Sequence, residues 1–195
     1  MTASTQLPLI VCFGDSLTAG YQTPGPANAH EQETPYGHVL QECLGHLGRV
    51  EISGICGEVT GEMVLRFRGT VLDRKPQMVI ILGGTNDLGW NADPAEIMRN
   101  LVKMYESARA ASIVPVPVTV PSIRVDAGTD HPDAAAWLAG HIQRRQQLNR
   151  LIADYAGRKG LSYFDLFTAT ADPDSLMLAE PYSIDGLHLT TSGYR

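Results

Sequence analysis

The chain has 195 residues, of which 44% are hydrophobic and 18% are charged, so it carries enough apolar side chains for one sizeable core. Its 15 Lys and Arg residues against 21 Asp and Glu residues give a net charge of −6, which argues against a general nucleic-acid-binding protein. We therefore predict one folded domain over residues 1–195 and exclude a disordered chain.

Short runs rich in Val and Ile alternate with longer segments of helical period, a pattern typical of an α/β protein with a parallel sheet. The predicted strands are residues 7–13, 49–55, 77–82, 113–120 and 161–166. The predicted helices are residues 36–47, 60–72, 94–110 and 134–158. With right-handed crossovers, these elements give a three-layer α/β/α sandwich around a flavodoxin-like five-stranded parallel sheet in the order 2-1-3-4-5.

The fourth predicted strand contains Pro115 and Pro117, which remove two N–H donors from one side of the strand. Because a central parallel strand should not tolerate both, we interpret the paired part as starting near Val118. Polar loops at residues 22–35 and 122–132 follow the first and fourth strands. Both loops should therefore lie at the carboxyl edge, where open α/β sheets bind ligands.

A serine directly follows the first predicted strand, in Gly14-Asp15-Ser16-Leu17. A hydroxyl at this position lies beside the free backbone N–H groups that open a helical turn, which suits a nucleophile whose attack creates an oxyanion. A turn capped by Asp15 or Ser16 would have the same sequence, so the motif alone leaves both interpretations open.

Near the other end of the chain, Asp185-Gly186-Leu187-His188 places a carboxylate three residues before an imidazole. The carboxylate can accept the Nδ1–H of His188, which leaves Nε2 free to act as a base. A helix entry with a solvated His188 is the alternative. With Ser16, this segment supplies the three roles of a catalytic triad, without the Gly-x-Ser-x-Gly motif of the α/β-hydrolases.

Two more loops follow the third and second predicted strands. The loop Gly84-Thr85-Asn86-Asp87 contains a carboxamide that can donate to an oxyanion, and Gly57 offers a backbone N–H for the same purpose. An Asn-Asp turn and a plain loop are the alternatives. All four motifs fall at one edge of the predicted sheet, which favours a shared site.

Together these four segments resemble the GDSL/SGNH hydrolases, whose sequence blocks occur in the same order over nearly the whole chain. The resemblance implies a serine esterase that acts on small-molecule esters, with short-chain acyl, aryl or O-acetyl groups, through an acyl-enzyme. It implies Ser16 as the nucleophile, His188 as the base and Asp185 as the residue that orients His188. It further implies an oxyanion hole made of the Ser16 amide, the Gly57 amide and the Asn86 side chain. No cofactor and no metal are implied, and the closing C-terminal helix common in the family would be barely begun.

Several other residues are weaker candidates for a function. Cys56 adjoins a possible oxyanion donor, but no second histidine motif points to it. Leu88 and Trp90 are candidates for an acyl pocket or for core and surface positions, and we expect Arg144 and Arg145 on a solvated helix face. The remaining histidines show no metal-ligand spacing: His30, His38, His46, His131 and His141.

The sequence is compatible with two functions other than ester hydrolysis. One is a flavodoxin-like module that binds phosphate or a nucleotide after the first strand, and the other is a carbohydrate-binding protein that keeps the pocket. The sequence has neither a Gly-x-Gly-x-x-Gly motif nor a P-loop lysine, and a binding module gives the Asp185–His188 pair no role. The prediction is therefore an esterase.

Targeting signals and cysteine usage predict the cellular setting. The apolar runs at residues 9–13 and 78–82 are five residues each, far short of the roughly 20 that cross a bilayer. The N-terminal residues lack the basic segment and cleavage site of a signal peptide. Cys12, Cys43 and Cys56 have no disulfide-framework or zinc-site spacing. We therefore predict a cytoplasmic protein without a membrane span, with secretion after removal of a signal peptide as the alternative.

Overall fold

The computed structural model describes residues 7–25, 29–125 and 133–195, so parts of both predicted polar loops, with His131, lie outside the described residues. The strands are β1 (Leu9–Gly14), β2 (Tyr21–Gln22), β3 (Gln32–Glu33), β4 (Arg49–Gly54), β5 (Met78–Leu82) and β6 (Val114–Pro117). Four of them form a parallel sheet in the order β4-β1-β5-β6, and β2 and β3 form a small antiparallel ribbon.

Helices flank this sheet, so the predicted α/β sandwich is confirmed. Asp93 begins the helix Pro94–Ala110 by accepting the N–H of Ala95 at 2.7 Å, and Gly160 ends the helix Ala134–Lys159 in the left-handed conformation. The α-helices of the described residues are α1 (Ser16–Ala19), α2 (Tyr36–Leu44), α3 (Thr60–Thr70), α4 (Thr85–Gly89), α5 (Pro94–Ala110), α6 (Ala134–Lys159), α7 (Leu166–Thr170) and α8 (Thr191–Tyr194).

The core lies between the sheet and its helices. Helix α2 packs beside β4, whereas α5 packs against both α3 and α6, and α5 and α6 contact β6. The side chains of β1 are almost all buried, because the strand is covered on both faces. This burial explains why the strands read as continuous apolar runs in the sequence.

The prediction that pairing starts near Val118 was wrong. Strand β6 pairs with β5 from Val114 onwards, and the N–H groups of Val114 and Val118 donate to the carbonyls of Gln77 and Ile81 at 3.0 and 3.1 Å. Because successive residues of a strand point to opposite sides, Pro115 and Pro117 direct their nitrogens to the outer edge. The missing donors therefore cost the sheet no hydrogen bond to β5.

The predicted fifth strand is reduced to a single bridge. Phe164 donates to the Pro117 carbonyl and accepts from the Thr119 N–H, both at 3.0 Å, and this pairing links it to Val118. The prolines offer no donor along the rest of that edge, so a longer parallel strand could not pair there. The sheet consequently has four strands where the sequence predicted five.

The described residues were also compared with what a membrane span and a disulfide require. Within residues 7–25, 29–125 and 133–195, no helix combines the length and the apolar character needed to cross a bilayer. Cys12 is buried, whereas Cys43 and Cys56 are exposed, and all three thiols are free.

Candidate active site

Ser16 is the first residue of α1, directly beyond the carboxyl end of β1. The side chain of Asp15 caps this short helix by accepting the Leu17 N–H at 3.0 Å. Gly14 leaves room for the turn, because a Cβ there would lie 2.2 Å from the Leu82 carbonyl oxygen. Ser16 is 4% exposed, so it is almost fully buried.

His188 reaches Ser16 from the opposite end of the chain. Its Nε2 lies 3.1 Å from Ser16 Oγ, and its Nδ1 lies 2.7 Å from Asp185 Oδ2. The carboxylate accepts from Nδ1, which assigns the proton to that nitrogen and leaves Nε2 as the acceptor for the hydroxyl. The arrangement can remove the Ser16 proton.

Asp185 also shapes the loop that carries His188. Its Oδ1 accepts the backbone N–H groups of Leu187 and His188 at 2.9 and 2.8 Å, and Thr23 donates its hydroxyl to Oδ2. Burial alone would raise the pKa of Asp185, but these hydrogen bonds, led by the one from His188, hold it well below its usual range. The carboxyl is therefore an anion beside the imidazole throughout the neutral pH range.

Arg124 braces this loop from the segment after β6. Its N–H donates to the Gly186 carbonyl at 2.8 Å, and its guanidinium donates to the Ser183 carbonyl at 2.9 Å. Gly186 has a φ of +78°, and a Cβ on it would lie 2.0 Å from the Arg124 carbonyl oxygen. Only glycine fits this position without displacing the segment.

We expect Gly186→Ala to lower the free energy of unfolding by about 2 kcal/mol or more, because the methyl group is both strained and obstructed. Urea unfolding measures this. Gly157→Ala, in the open interior of α6, is the matched control and should raise stability by about 0.5–1 kcal/mol. Equal stability of the Gly186→Ala and parent proteins would contradict the packing described for this loop.

The candidate oxyanion donors lie on two neighbouring loops. Asn86 belongs to the first turn of α4, and its Nδ2 donates to the Glu58 carbonyl at 2.9 Å. Gly57 precedes Glu58 and adopts a φ of +79°. In the described part of the chain, the backbone N–H groups of Ser16 and Gly57 have no acceptor. These N–H groups and the second Asn86 hydrogen remain available to a ligand.

Asp87 ties the same two loops together. It is buried, and its carboxylate accepts the Thr60 N–H at 2.9 Å and the Thr60 hydroxyl at 2.6 Å. Thr60 opens α3, so Asp87 fixes that helix to the turn that carries Asn86. The Asp of this motif therefore has a structural role, beside the donor role predicted for Asn86.

Burial dominates the electrostatics beneath the site. It raises the pKa of Asp15 to about 7, against the lowering effects of the Leu17 N–H and the charges of His188 and Arg145. Arg145 is 1% exposed and donates to the Pro121 carbonyl at 2.7 Å, so its predicted place on a solvated helix face was wrong. Arg145 therefore lies on the buried face of α6.

The other candidate residues lie outside this arrangement. Leu88 is fully buried in the core, and Trp90 is 81% exposed. Desolvation and then the carboxylates of Glu33 and Asp15 raise the pKa of Cys56, which disfavours the reactive thiolate. No group of three or more His, Cys, Asp or Glu residues placed to hold a metal occurs among the described residues.

Sequence reasoning missed the residues that hold the loops in place. Arg66, Arg124 and Thr23 each contact a loop of the site, and all three come from segments without a recognisable motif. Their polar atoms meet the loops only through the tertiary fold. No local pattern in the sequence signals such contacts.

The sequence matches the GDSL-like lipase/acylhydrolase family over residues 12–195. Among curated proteins it resembles the uncharacterized lipoprotein YqeF of Bacillus subtilis, with 30% identity over 132 residues. That match covers 63% of this chain and 52% of the relative, so the chain spans about half the length of the curated protein it matches.

Solved structures share the fold. A lipase/acylhydrolase from Enterococcus faecalis is 25% identical with a TM-score of 0.74, covering 96% of this chain and 90% of that one. An acetyl xylan esterase from Geobacillus stearothermophilus is 19% identical with a TM-score of 0.71, covering 97% and 90%, and shows the fold alone. With blocks around Ser16, Gly57, Asn86 and His188 inside the matched range, the chain belongs to the GDSL-like lipase/acylhydrolase family.

Proposed function

We propose that this protein hydrolyses carboxylic esters, with Ser16 as the nucleophile, His188 as the general base and Asp185 as the residue that orients His188. The observation that supports this most is the pair of hydrogen bonds on the imidazole, 3.1 Å from Nε2 to Ser16 Oγ and 2.7 Å from Nδ1 to Asp185 Oδ2. A nucleophile, a base and an orienting carboxylate in this order are what acyl transfer through a serine requires.

In the first half of the reaction, His188 Nε2 takes the hydroxyl proton as Ser16 Oγ attacks the ester carbonyl carbon. The amides of Ser16 and Gly57 and the side chain of Asn86 donate to the oxyanion of the tetrahedral intermediate. Its collapse breaks the bond to the alkoxy group, and the imidazolium gives the proton to the departing alcohol. Water, deprotonated by His188, then attacks the acyl-serine and releases the carboxylic acid.

A fluorophosphonate probe tests the proposal, because it reacts with an activated serine and mimics the tetrahedral intermediate. We expect labelling at Ser16, located by peptide mass spectrometry, and hydrolysis of p-nitrophenyl esters. A series of acyl lengths, together with acetylated xylo-oligosaccharides suggested by the acetyl xylan esterase relative, assigns the substrate class. A folded protein that is neither labelled nor active would favour the alternative, a phosphate- or nucleotide-binding module.

We expect Asn86→Ala to lower kcat by about 10²–10³-fold while KM changes little, because the carboxamide bonds the oxyanion more strongly than the ground-state carbonyl. Steady-state kinetics on one p-nitrophenyl ester measures both constants. Gln147→Ala is the control, since it removes a carboxamide from an exposed position of α6. A change confined to KM would identify Asn86 as a substrate contact.

The cytoplasmic location remains part of the proposal. Three free thiols, two of them exposed, fit a reducing compartment. The name of the Bacillus subtilis relative describes that protein as a lipoprotein, which makes a membrane fraction the outcome to test for. Fractionation of the native host followed by detection with an antibody decides between a cytosolic and a membrane-associated pool.

A further inference from the structure

Arg66, on α3, lies beneath the loop that carries Gly57 and holds that loop through Glu58. Its Nε and Nη2 donate to the two carboxylate oxygens of Glu58, each at 2.6 Å. The side chains of Arg66 and Glu58 are 18% and 6% exposed. This two-pronged pairing fixes the carboxylate in direction as well as in distance.

The same guanidinium also contacts the ends of two strands. Nη2 donates to the carbonyls of Gly14 and Ser53 at 3.0 and 3.2 Å, and Nη1 donates to the Ser53 hydroxyl at 2.6 Å. Its carbon centre lies 4.0 Å from the centroid of the Phe13 ring. One side chain therefore connects β1, which leads to Ser16, with β4, which leads to the Gly57 loop.

Gly57 depends on this connection because little else fixes it. No atom within 4 Å would meet a Cβ at Gly57, and the turn around it closes with a long 3.3 Å bond from the Glu58 N–H to Ile55. Glu58, by contrast, is held on both sides, by Arg66 at its carboxylate and by Asn86 at its carbonyl. The orientation of the Gly57 N–H follows from the anchoring of its neighbour.

We propose that Arg66 and Glu58 are positioning residues for the oxyanion site, which set the direction of the Gly57 N–H relative to Ser16. This inference rests on the ester hydrolysis proposed above. Preorganised donors stabilise an oxyanion only when they already point at its position, so a small displacement of the loop weakens the transition state more than substrate binding. Breaking a largely buried ion pair also destabilises the fold, so the test has to separate positioning from stability.

The test compares Arg66→Lys and Glu58→Gln with the parent enzyme. Lysine keeps the charge but loses the two-pronged contact, and glutamine keeps the shape but loses the charge. We expect kcat to fall roughly 10- to 100-fold in Arg66→Lys, with KM within about twofold. Glu58→Gln should show the same split with a smaller fall in kcat.

The affinity for a tetrahedral inhibitor separates a positioning role from a structural one. A trifluoromethyl ketone forms an oxyanion adduct with Ser16, whereas the corresponding amide, which stays uncleaved, binds as a ground-state analogue. We expect the ketone's affinity to fall in parallel with kcat/KM across the variants and the amide's affinity to stay constant. Equal loss of both affinities, or of neither, would overturn the inference.

Two controls separate positioning from stability. Arg109→Lys makes the same exchange in the exposed ion pair with Glu106, and it should leave kcat unchanged. Met104→Ala opens the core of α5 and should lower the unfolding midpoint without changing the ketone-to-amide ratio. If Arg66→Lys only lowers the midpoint, as Met104→Ala does, Arg66 is a stabilising residue and the inference fails.

Failure of the inference and failure of the proposed function are distinguishable. A parent protein that neither hydrolyses esters nor labels at Ser16 contradicts the proposed function itself. An active parent with an equally active Arg66→Lys variant contradicts only the positioning role. Should Arg66→Lys fail to fold by circular dichroism, Glu58→Gln decides, because it preserves volume and one acceptor oxygen.

Discussion

Ser16→Ala should fold as the parent does and lose ester hydrolysis by on the order of 10⁴–10⁶-fold. The substitution removes one oxygen, whose hydrogen-bond partner is His188 Nε2 at 3.1 Å. Because only one atom is removed, little packing is lost. Without that oxygen no acyl-enzyme can form, and only binding and the remaining oxyanion donors can assist water. Circular dichroism, urea unfolding and initial rates on a p-nitrophenyl ester measure fold and activity on the same sample.

Ser107→Ala is the matched control for this experiment, because it removes a hydroxyl from the exposed surface of α5. We expect it to retain parental activity and stability. A folded Ser16→Ala protein with activity near that of the parent would show that Ser16 is not the nucleophile, and fluorophosphonate labelling of the variant would then locate the serine that is.

Asp185→Asn should lower kcat/KM by about 10⁴-fold, the size of the loss in a comparable triad. The asparagine oxygen can still accept the N–H groups of Leu187 and His188, so the loop should persist. Its NH₂ group, however, would face Nδ1 and favour the tautomer whose Nε2 carries the proton, which cannot take the proton of Ser16. Unfolding measurements on the variant check that the loss lies in the chemistry rather than in the fold.

The pH dependence of kcat/KM distinguishes a triad with Asp185 from a dyad of Ser16 and His188. Activity of the parent should fall as the pH drops, because a protonated His188 cannot act as a base. We expect the pH profile of Asp185→Asn to differ from that of the parent, because an uncharged amide replaces the carboxylate that lies 2.7 Å from His188 Nδ1. An acid limb that stays in place would reduce the proposed triad to a Ser16–His188 dyad.

Asp15 needs its own control in that profile. Its pKa is raised to about 7 by burial, so it loses its proton in the same pH range as a histidine. Asp15→Asn keeps the cap on the Leu17 N–H but removes the titration. The fall in activity at low pH is assigned to His188 if it persists in Asp15→Asn. It should then change in the double variant Asp15→Asn/Asp185→Asn.

Three of the four motifs could be placed from the sequence, because each of the three follows a strand that shares the sheet. Ser16 comes directly after β1, and the loops with Gly57 and Asn86 come after β4 and β5. Strands that share a sheet bring such positions to one edge. The bond from His188 to Ser16, 172 residues apart, required the resemblance to a family, because nothing local joins the two.

The rest depended on interactions that sequence patterns do not encode. The helical period of α6 allows Arg145 on either a solvated or a buried face. Only the tertiary fold, which brings the Pro121 carbonyl to its guanidinium, shows that Arg145 is buried. Pro115 and Pro117 were correctly recognised as incompatible with pairing on their own side of the strand. What the sequence left open was which side that is, since it depends on the position of β5.

The prolines of β6 also affect whether a strand of another molecule can add to the edge of the sheet. A sheet edge with free N–H groups is a template on which a strand of another molecule can add, and such addition leads to aggregation. Pro115 and Pro117 leave the outer edge of β6 without donors at both positions, and Phe164 occupies its end. The opposite edge, β4, begins with the charged pair of Arg49 and Glu51. Both borders of the sheet are therefore poor templates for the addition of a foreign strand.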